Sequence, residues 1–329
     1  MKDDLSTYPD LASDLFGGEV VYATDDTYGR KENLIIEKDS SKNISSSNDT
    51  RSNAWMPSFE KNTNEWVVLR LGCETTIIGL EIEIFNEVKN ATLQISIDAI
   101  HFKSRVEDWQ LADFLDWDSI LEKEDIEGNK RNYFDFQSTK PYTHVRLHLL
   151  SKGGISRCKV FGEAYRDWTH LKDDLQLDLA MITNGAKILA HSSTFSGSVQ
   201  NLIAPKKSTS MADGWLTNAH ETKLPYQWVI VKLAHKGFIE KLIIDTYNFY
   251  DNRAESCSLE YCIATNDQDV LDEKVTWRDL LDKKGLKPHR ENPFSGEDIR
   301  DHEAITHVML KAYPYGGLSR LRLIGNIKK

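Results

Sequence analysis

Asp213, Asp245 and His191 are the side chains best placed along the sequence to move protons. Asp213 opens the small-residue turn Asp213-Gly214-Trp215-Leu216-Thr217, Asp245 closes the apolar run from Phe238, and His191 follows the strand-like Asn184 to Ala190 on its loop side. A carboxylate or imidazole within hydrogen-bond reach of a reacting group can deliver water or guide a leaving group. The two aspartates also have a plainer use, since Asp before Gly starts a turn and a strand-end Asp caps one.

Other charged groups recur or cluster. Arg157 and Arg320 each follow a Gly-Gly pair, which suits a shared ligand role or a structural ion pair common to both halves. His144 and His307 sit in matching Thr-His-Val stretches, where a packed or hydrogen-bonded histidine is expected. Asp25, Asp26 and Glu32 form an acidic loop that could face a site or a metal, or carry solvated charge. No His-Glu-x-x-His or Gly-x-Ser-x-Gly pattern occurs, so common zinc and serine hydrolase schemes lack support. Cys73, Cys158, Cys257 and Cys262 fit no zinc-ribbon or redox spacing and read as reduced thiols in or near a core.

The elements that must hold these groups come in two copies. The Trp215 turn runs into Gln227-Trp228-Val229-Ile230-Val231-Lys232-Leu233; earlier, Asn53-Ala54-Trp55-Met56-Pro57 runs into Glu65-Trp66-Val67-Val68-Leu69-Arg70-Leu71. Thr143-His144-Val145, Gly153-Gly154 and Ser156-Arg157 are answered by Thr306-His307-Val308, Gly316-Gly317 and Ser319-Arg320. Duplication is the simple account, with domains at 1–168 and 169–329. Each half reads as short alternating strands, without the amphipathic crossovers of a parallel sheet. The expected class is all-β, two tandem antiparallel jelly-roll sandwiches. Within each half the Thr-His-Val and Ser-Arg strands read as a hairpin across the Gly-Gly turn. Ile77 to Phe85 reads as a strand separate from the Trp66 strand, Trp109 to Glu127 as a helical turn or two, and Lys38 to Asn53 as a surface loop.

Composition narrows the partners. The 329 residues suit about two domains, and the net charge of -10 argues against nucleic acid or an anionic membrane. No apolar run approaches the roughly 18 residues of a membrane span. The acidic start Met1-Lys2-Asp3-Asp4 has no apolar core, so a cytoplasmic location is expected.

These motifs resemble the allantoicase family in collinear order: Gly17-Gly18-Glu19-Val20, Glu32-Asn33-Leu34-Ile35, Asp213-Gly214-Trp215 with Thr217, Asp245-Thr246 with Phe249, and Gly316-Gly317 with Arg320. The resemblance implies galactose-binding-like jelly rolls and hydrolysis of allantoate to ureidoglycolate and urea in purine nitrogen recovery. It implies a small ureide as partner, self-association into a homo-oligomer, and no cofactor, a divalent metal being left open. The candidate site then has Asp213, Asp245 and His191 as catalytic groups. Trp215, Thr217, Asn252, Arg320, Asp26, Glu32 and Arg157 would bind substrate, the two tryptophans Trp55 and Trp215 packing beneath their turns. The sequence departs from the family pattern at Asn53 to Phe59, which keeps only the tryptophan. It departs again at Leu216, where the family has Glu, and at Asn218 and Ala219, where it has basic residues. Those departures open a second reading, a weak or inactive relative kept as a binding or assembly scaffold.

Overall fold

The computed structural model describes residues 5–36, 53–58, 64–84, 92–104, 106–128, 130–172, 175–218 and 224–329. The surface loop expected from Lys38, and also Phe59, Phe85 and Ala219, lie outside them. Contacts divide the chain into two units, Met1–Tyr165 and Arg166–Lys329.

Strands in the first unit are β1 (Glu19–Ala23), β2 (Glu65–Glu83), β3 (Thr92–Ile100), β4 (Asp118–Glu127), β5 (Arg131–Asp135), β6 (Tyr142–Leu149) and β7 (Arg157–Ala164). Those in the second are β8 (Leu177–Asp178), β9 (Lys187–His191), β10 (Ser196–Gly197), β11 (Trp215–Leu216), β12 (Gln227–Asp245), β13 (Ser256–Cys262), β14 (Arg278–Gly285), β15 (Glu291–Ser295), β16 (Ile305–Tyr313), β17 (Gly317–Leu318) and β18 (Arg320–Ile327). All strand pairs between these elements are antiparallel. The all-β class expected from the alternation is what the chain builds.

Each unit is organised around one 19-residue strand, β2 or β12. The first part of β2 pairs with β1 and β6; the register shifts between Arg70 and Thr75, and the second part pairs with β5 and β7. Strand β12 does the same, taking β9 and β16 up to the shift between Lys232 and Gly237, then β15 and β18. One strand thus contributes to both layers, and its two parts face a shared interior. Val67, Leu69, Leu80 and Ile82 of β2 lie in one buried cluster with Ile95 and Ile97 of β3, Val145 and Leu147 of β6, and Cys158 and Val160 of β7. Alternate residues are buried along β3 and β6, as a half-buried strand requires.

Three expectations are corrected. The Trp66 and Ile77 stretches form one strand, because the chain bends between them without leaving the sheet. The Thr-His-Val and Ser-Arg strands form no hairpin; β6 and β7 pair with different parts of β2, and β16 and β18 with different parts of β12. Trp109 to Glu127 holds a short 3-10 turn (Asp108–Ala112) and then strand β4. Its alternation is hidden because β4 is an edge strand with irregular register against β3, anchored by buried Ile120 and Ile126 with exposed acidic residues between.

The outer face of each long strand is covered too. Val68 packs with Val21 and Leu111 beneath Trp66 and Trp117, and Ile230 packs with Cys262 and Val270 beneath Trp228 and Trp277. The cysteines are unpaired, and burial pushes the Cys262 thiol up to about 11 and the Cys257 thiol up to about 12. Both stay protonated and inert at neutral pH. Among the described residues no helix is long and apolar enough to cross a membrane.

Candidate functional site

The second unit contains a cleft of about 380 Å³ bounded by Leu216–Asn218, Asp251–Glu255 and Pro314–Gly316, with Phe195 at its edge. These segments are far apart in sequence, and the Gly-Gly pair brings them together. Strand β11 pairs with β10 on one side and β17 on the other. The Thr217 hydroxyl accepts from the Gly316 N–H at 2.9 Å and donates to the Gly316 carbonyl at 3.0 Å, tying the Trp turn to the glycine turn. Gly316 has φ +128, and a Cβ there would lie 2.4 Å from the Arg253 backbone. A Cβ on Gly317 would lie 2.0 Å from the ring of Phe249, which is fully buried. Only glycines let the loop after β12 seat this closely. Gly317 then donates to the Asn252 carbonyl at 2.8 Å, and that wall is fixed.

Of the candidate site residues, Thr217 and Asn252 line this cleft, and so do Leu216 and Asn218, two of the departures from the family pattern. Asp213, Trp215, Asp245 and Arg320 are not among its lining residues. Trp215 is fully buried, its indole N–H donating to the Ser193 carbonyl and the Thr194 hydroxyl, each at 3.0 Å. Arg320 is 2 % exposed; its guanidinium donates to the carbonyls of Lys206 and Asp213 at 2.6 Å and meets the Asp213 carboxylate at 3.4 Å. The other Asp213 oxygen accepts from the N–H and hydroxyl of Thr209 at 2.8 and 3.0 Å. Burial lowers the Arg320 pKa, and the Asp213 charge opposes that shift. The plain reading of the recurrent arginine, a structural ion pair, is the geometry seen here in repeat two.

Asp245 is buried, with one carboxylate oxygen accepting from the Tyr247 N–H at 2.8 Å. Burial raises its pKa, Glu291 adding to the rise, while the Tyr247 bond and Arg320 work against it. His191 ends β9 opposite Val229, is exposed, and does not line the cleft. The remaining candidates belong to repeat one. Asp26 is half-buried, Glu32 exposed, and Arg157 half-buried with Nη1 donating to the Asn33 carbonyl at 3.2 Å. Among the described residues no three of His, Cys, Asp and Glu are grouped so as to hold a metal ion.

Sequence reasoning gave no site role to Asp251, which it met only as a replacement for the family's Gly, and missed Arg253, Glu255 and Tyr315; the cleft brings all four together with Thr217 and Asn252. The usable signal was Phe249, whose burial fixes where the loop behind it must run. Chemically, the described residues of the cleft offer one guanidinium, two carboxylates and the amides of Asn218 and Asn252. That set can accept from several N–H donors and hold one anionic group at once.

A family model for the allantoicase repeat matches residues 9–165 and again 177–328. The chain belongs to the allantoicase family. A probable allantoicase of Pseudomonas fluorescens is 34% identical over 282 residues, covering 84% of this chain and 83% of the relative. A probable allantoicase of Photobacterium profundum is 32% identical over 97% of this chain and 96% of its own length. Among solved structures, a crystal structure of allantoicase from Saccharomyces cerevisiae aligns with a TM-score of 0.79 at 27% identity, covering 97% of this chain and 94% of that one. The allantoicase likeness therefore runs through both repeats and both long strands.

Proposed function

We propose that this chain is an allantoicase, a hydrolase that converts allantoate and water to ureidoglycolate and urea, and that it works in the second-repeat cleft. Membership of the allantoicase family over nearly the whole chain carries the reading. The cleft supplies the chemistry. Allantoate presents one carboxylate and two ureido arms, which call for a cation and for N–H acceptors together, the set found in the cleft. In the reaction the oxygen of water bonds to the central carbon and gives up a proton. The carbon–nitrogen bond to one ureido arm breaks, and that nitrogen takes a proton as urea leaves. Asp251 and Glu255 are the carboxylates positioned to take and return those protons.

The reading extends to a cytoplasmic enzyme of purine nitrogen recovery that self-associates and takes a small ureide as its partner. Unpaired thiols suit a reducing compartment. The test is release of urea and ureidoglycolate from allantoate by the purified, folded protein. Turnover no faster than the spontaneous background would sink it, and Glu255→Gln and Asp251→Asn are expected to lower kcat by roughly 10²–10⁴-fold for whichever acts on a proton.

A further inference from the structure

Among the described residues that line the second-repeat cleft, Arg253 is the one lysine or arginine. Its Nε donates to the Leu286 carbonyl at 3.2 Å and its Nη1 to the Tyr250 carbonyl at 2.9 Å. Both partners are neutral. Asp251 and Glu255 line the same cleft, yet among the described residues no carboxylate comes within ion-pair distance of the Arg253 guanidinium, whose bonds go to those two carbonyls. The guanidinium is therefore held in place by neutral groups, and among the described residues Nη2 makes no hydrogen bond, which leaves it available to a ligand. Its backbone is fixed as well, by the parallel bridge from Arg253 to Gly317 and the close approach of Gly316. Arg320, by contrast, is occupied by two carbonyls of the preceding loop and the Asp213 carboxylate, and it is buried behind the turn.

We propose that Arg253 binds the carboxylate of the ureide substrate and makes the cleft select carboxylate-bearing ureides over neutral ones. This rests on the cleft being the site of the reaction proposed above. The positive charge comes from the loop after β12, whereas Asn218, which lines the same cleft, is uncharged where the family pattern carries a basic residue. A forked guanidinium meets a carboxylate through two parallel bonds, a geometry no neutral amide reproduces.

The test is calorimetric titration of the full chain with N-carbamoylglycine, which has one carboxylate and one ureido arm, and with its uncharged amide. Wild type is expected to bind the acid more tightly than the amide. Arg253→Gln should weaken binding of the acid by roughly ten- to hundredfold and leave the amide within about twofold. Arg253→Lys keeps the charge but not the fork, so it should lie between the two and serves if the glutamine variant does not fold. Equal weakening for acid and amide would assign Arg253 to holding the loop and overturn the proposal. So would unchanged binding of the acid, or no binding of it by wild type. Urea release by wild type is scored separately. A protein that binds the acid through Arg253 yet releases no urea from allantoate defeats the hydrolase reading and leaves the role of Arg253 standing.

Discussion

Trp55 and Trp215 are both fully buried, and each indole N–H crosses to the segment that follows its repeat's first long-strand partner. It reaches the Asp25 carbonyl at 2.9 Å in repeat one and the Ser193 carbonyl at 3.0 Å in repeat two. Beyond the indole the turns diverge. In repeat one the Asp25 carboxylate accepts from the Ser58 N–H at 2.6 Å and from Thr27, which closes the turn over the acid. Burial works against ionisation there, but the bonds from Ser58 and Thr27 hold the carboxyl well below the usual range. In repeat two the residues after the tryptophan border an open cleft, and Asp213 turns backward to Thr209 and Arg320. The shared tryptophan is a fold determinant. Whether its turn closes on itself or opens on a cleft is settled by the few residues around it.

The largest expected difference between the repeats lies in their recurrent arginines. Arg320→Ala removes a buried guanidinium and strands the Lys206 and Asp213 carbonyls, so it should cost about 3–5 kcal/mol in urea denaturation. Arg157→Ala, at a half-buried site, should cost about 1 kcal/mol. Equal costs would erase the contrast.

The paired histidines come next. Burial, helped by the Arg70 charge, lowers the His144 pKa from 6.5 to about 4. The folded state therefore holds the neutral ring while the unfolded chain takes up a proton near 6.5. Stability is full above that pH and is lost as pH falls toward 4, by about 2 kcal/mol at pH 5. His307 is lowered by burial too, but Asp267 pulls it back. Denaturation at pH 7.5 and pH 5 should show a slope that His144→Gln flattens more than His307→Gln does.

Asn132 and Asn292 sharpen the likeness instead. Each side-chain amide donates to two carbonyls of the turn before its strand and one on the long strand opposite, Asn292 to Lys287, Arg290 and Ile244 and Asn132 to Glu127, Lys130 and Ile82. Alanine at either should cost about 1.5 kcal/mol, the same in both repeats within error. An effect as small as that of Arg157→Ala, about 1 kcal/mol, is expected for Thr217→Val, which unties the cleft wall from Gly316. Its kcat/KM should fall more than its stability.

The duplication was legible because tryptophans, Gly-Gly pairs and Thr-His-Val strands mark positions where packing or close approach permits few substitutes. The long bent strands were not, since the alternation breaks at Gly72-Cys73 and at Ala234-His235-Lys236, and a break in period reads as an end. The false hairpins have the same origin: adjacent strands joined by a glycine turn look paired, yet here each finds its partner on a strand made much earlier. Asn132 and Asn292 passed unnoticed because asparagine near a turn is ordinary. At the site, residue types that do chemistry pointed to Asp213 and Asp245; Asp213 is half-buried and bonded to Thr209 and Arg320, Asp245 is buried, and neither lines the cleft. The cleft walls come from three loops, and no spacing along the chain reveals that they meet.

Strands β2 and β12 also bear on how the protein is made. Trp66 pairs with His148 and Glu81 with Lys159, so both parts of β2 wait for partners from the far end of the repeat. During synthesis the central strand emerges early and stays open-edged until β7 clears the ribosome. No shorter fragment of repeat one has a finished sheet. Each repeat is therefore a delayed closure, most exposed to aggregation and to chaperone capture just before its last strand arrives.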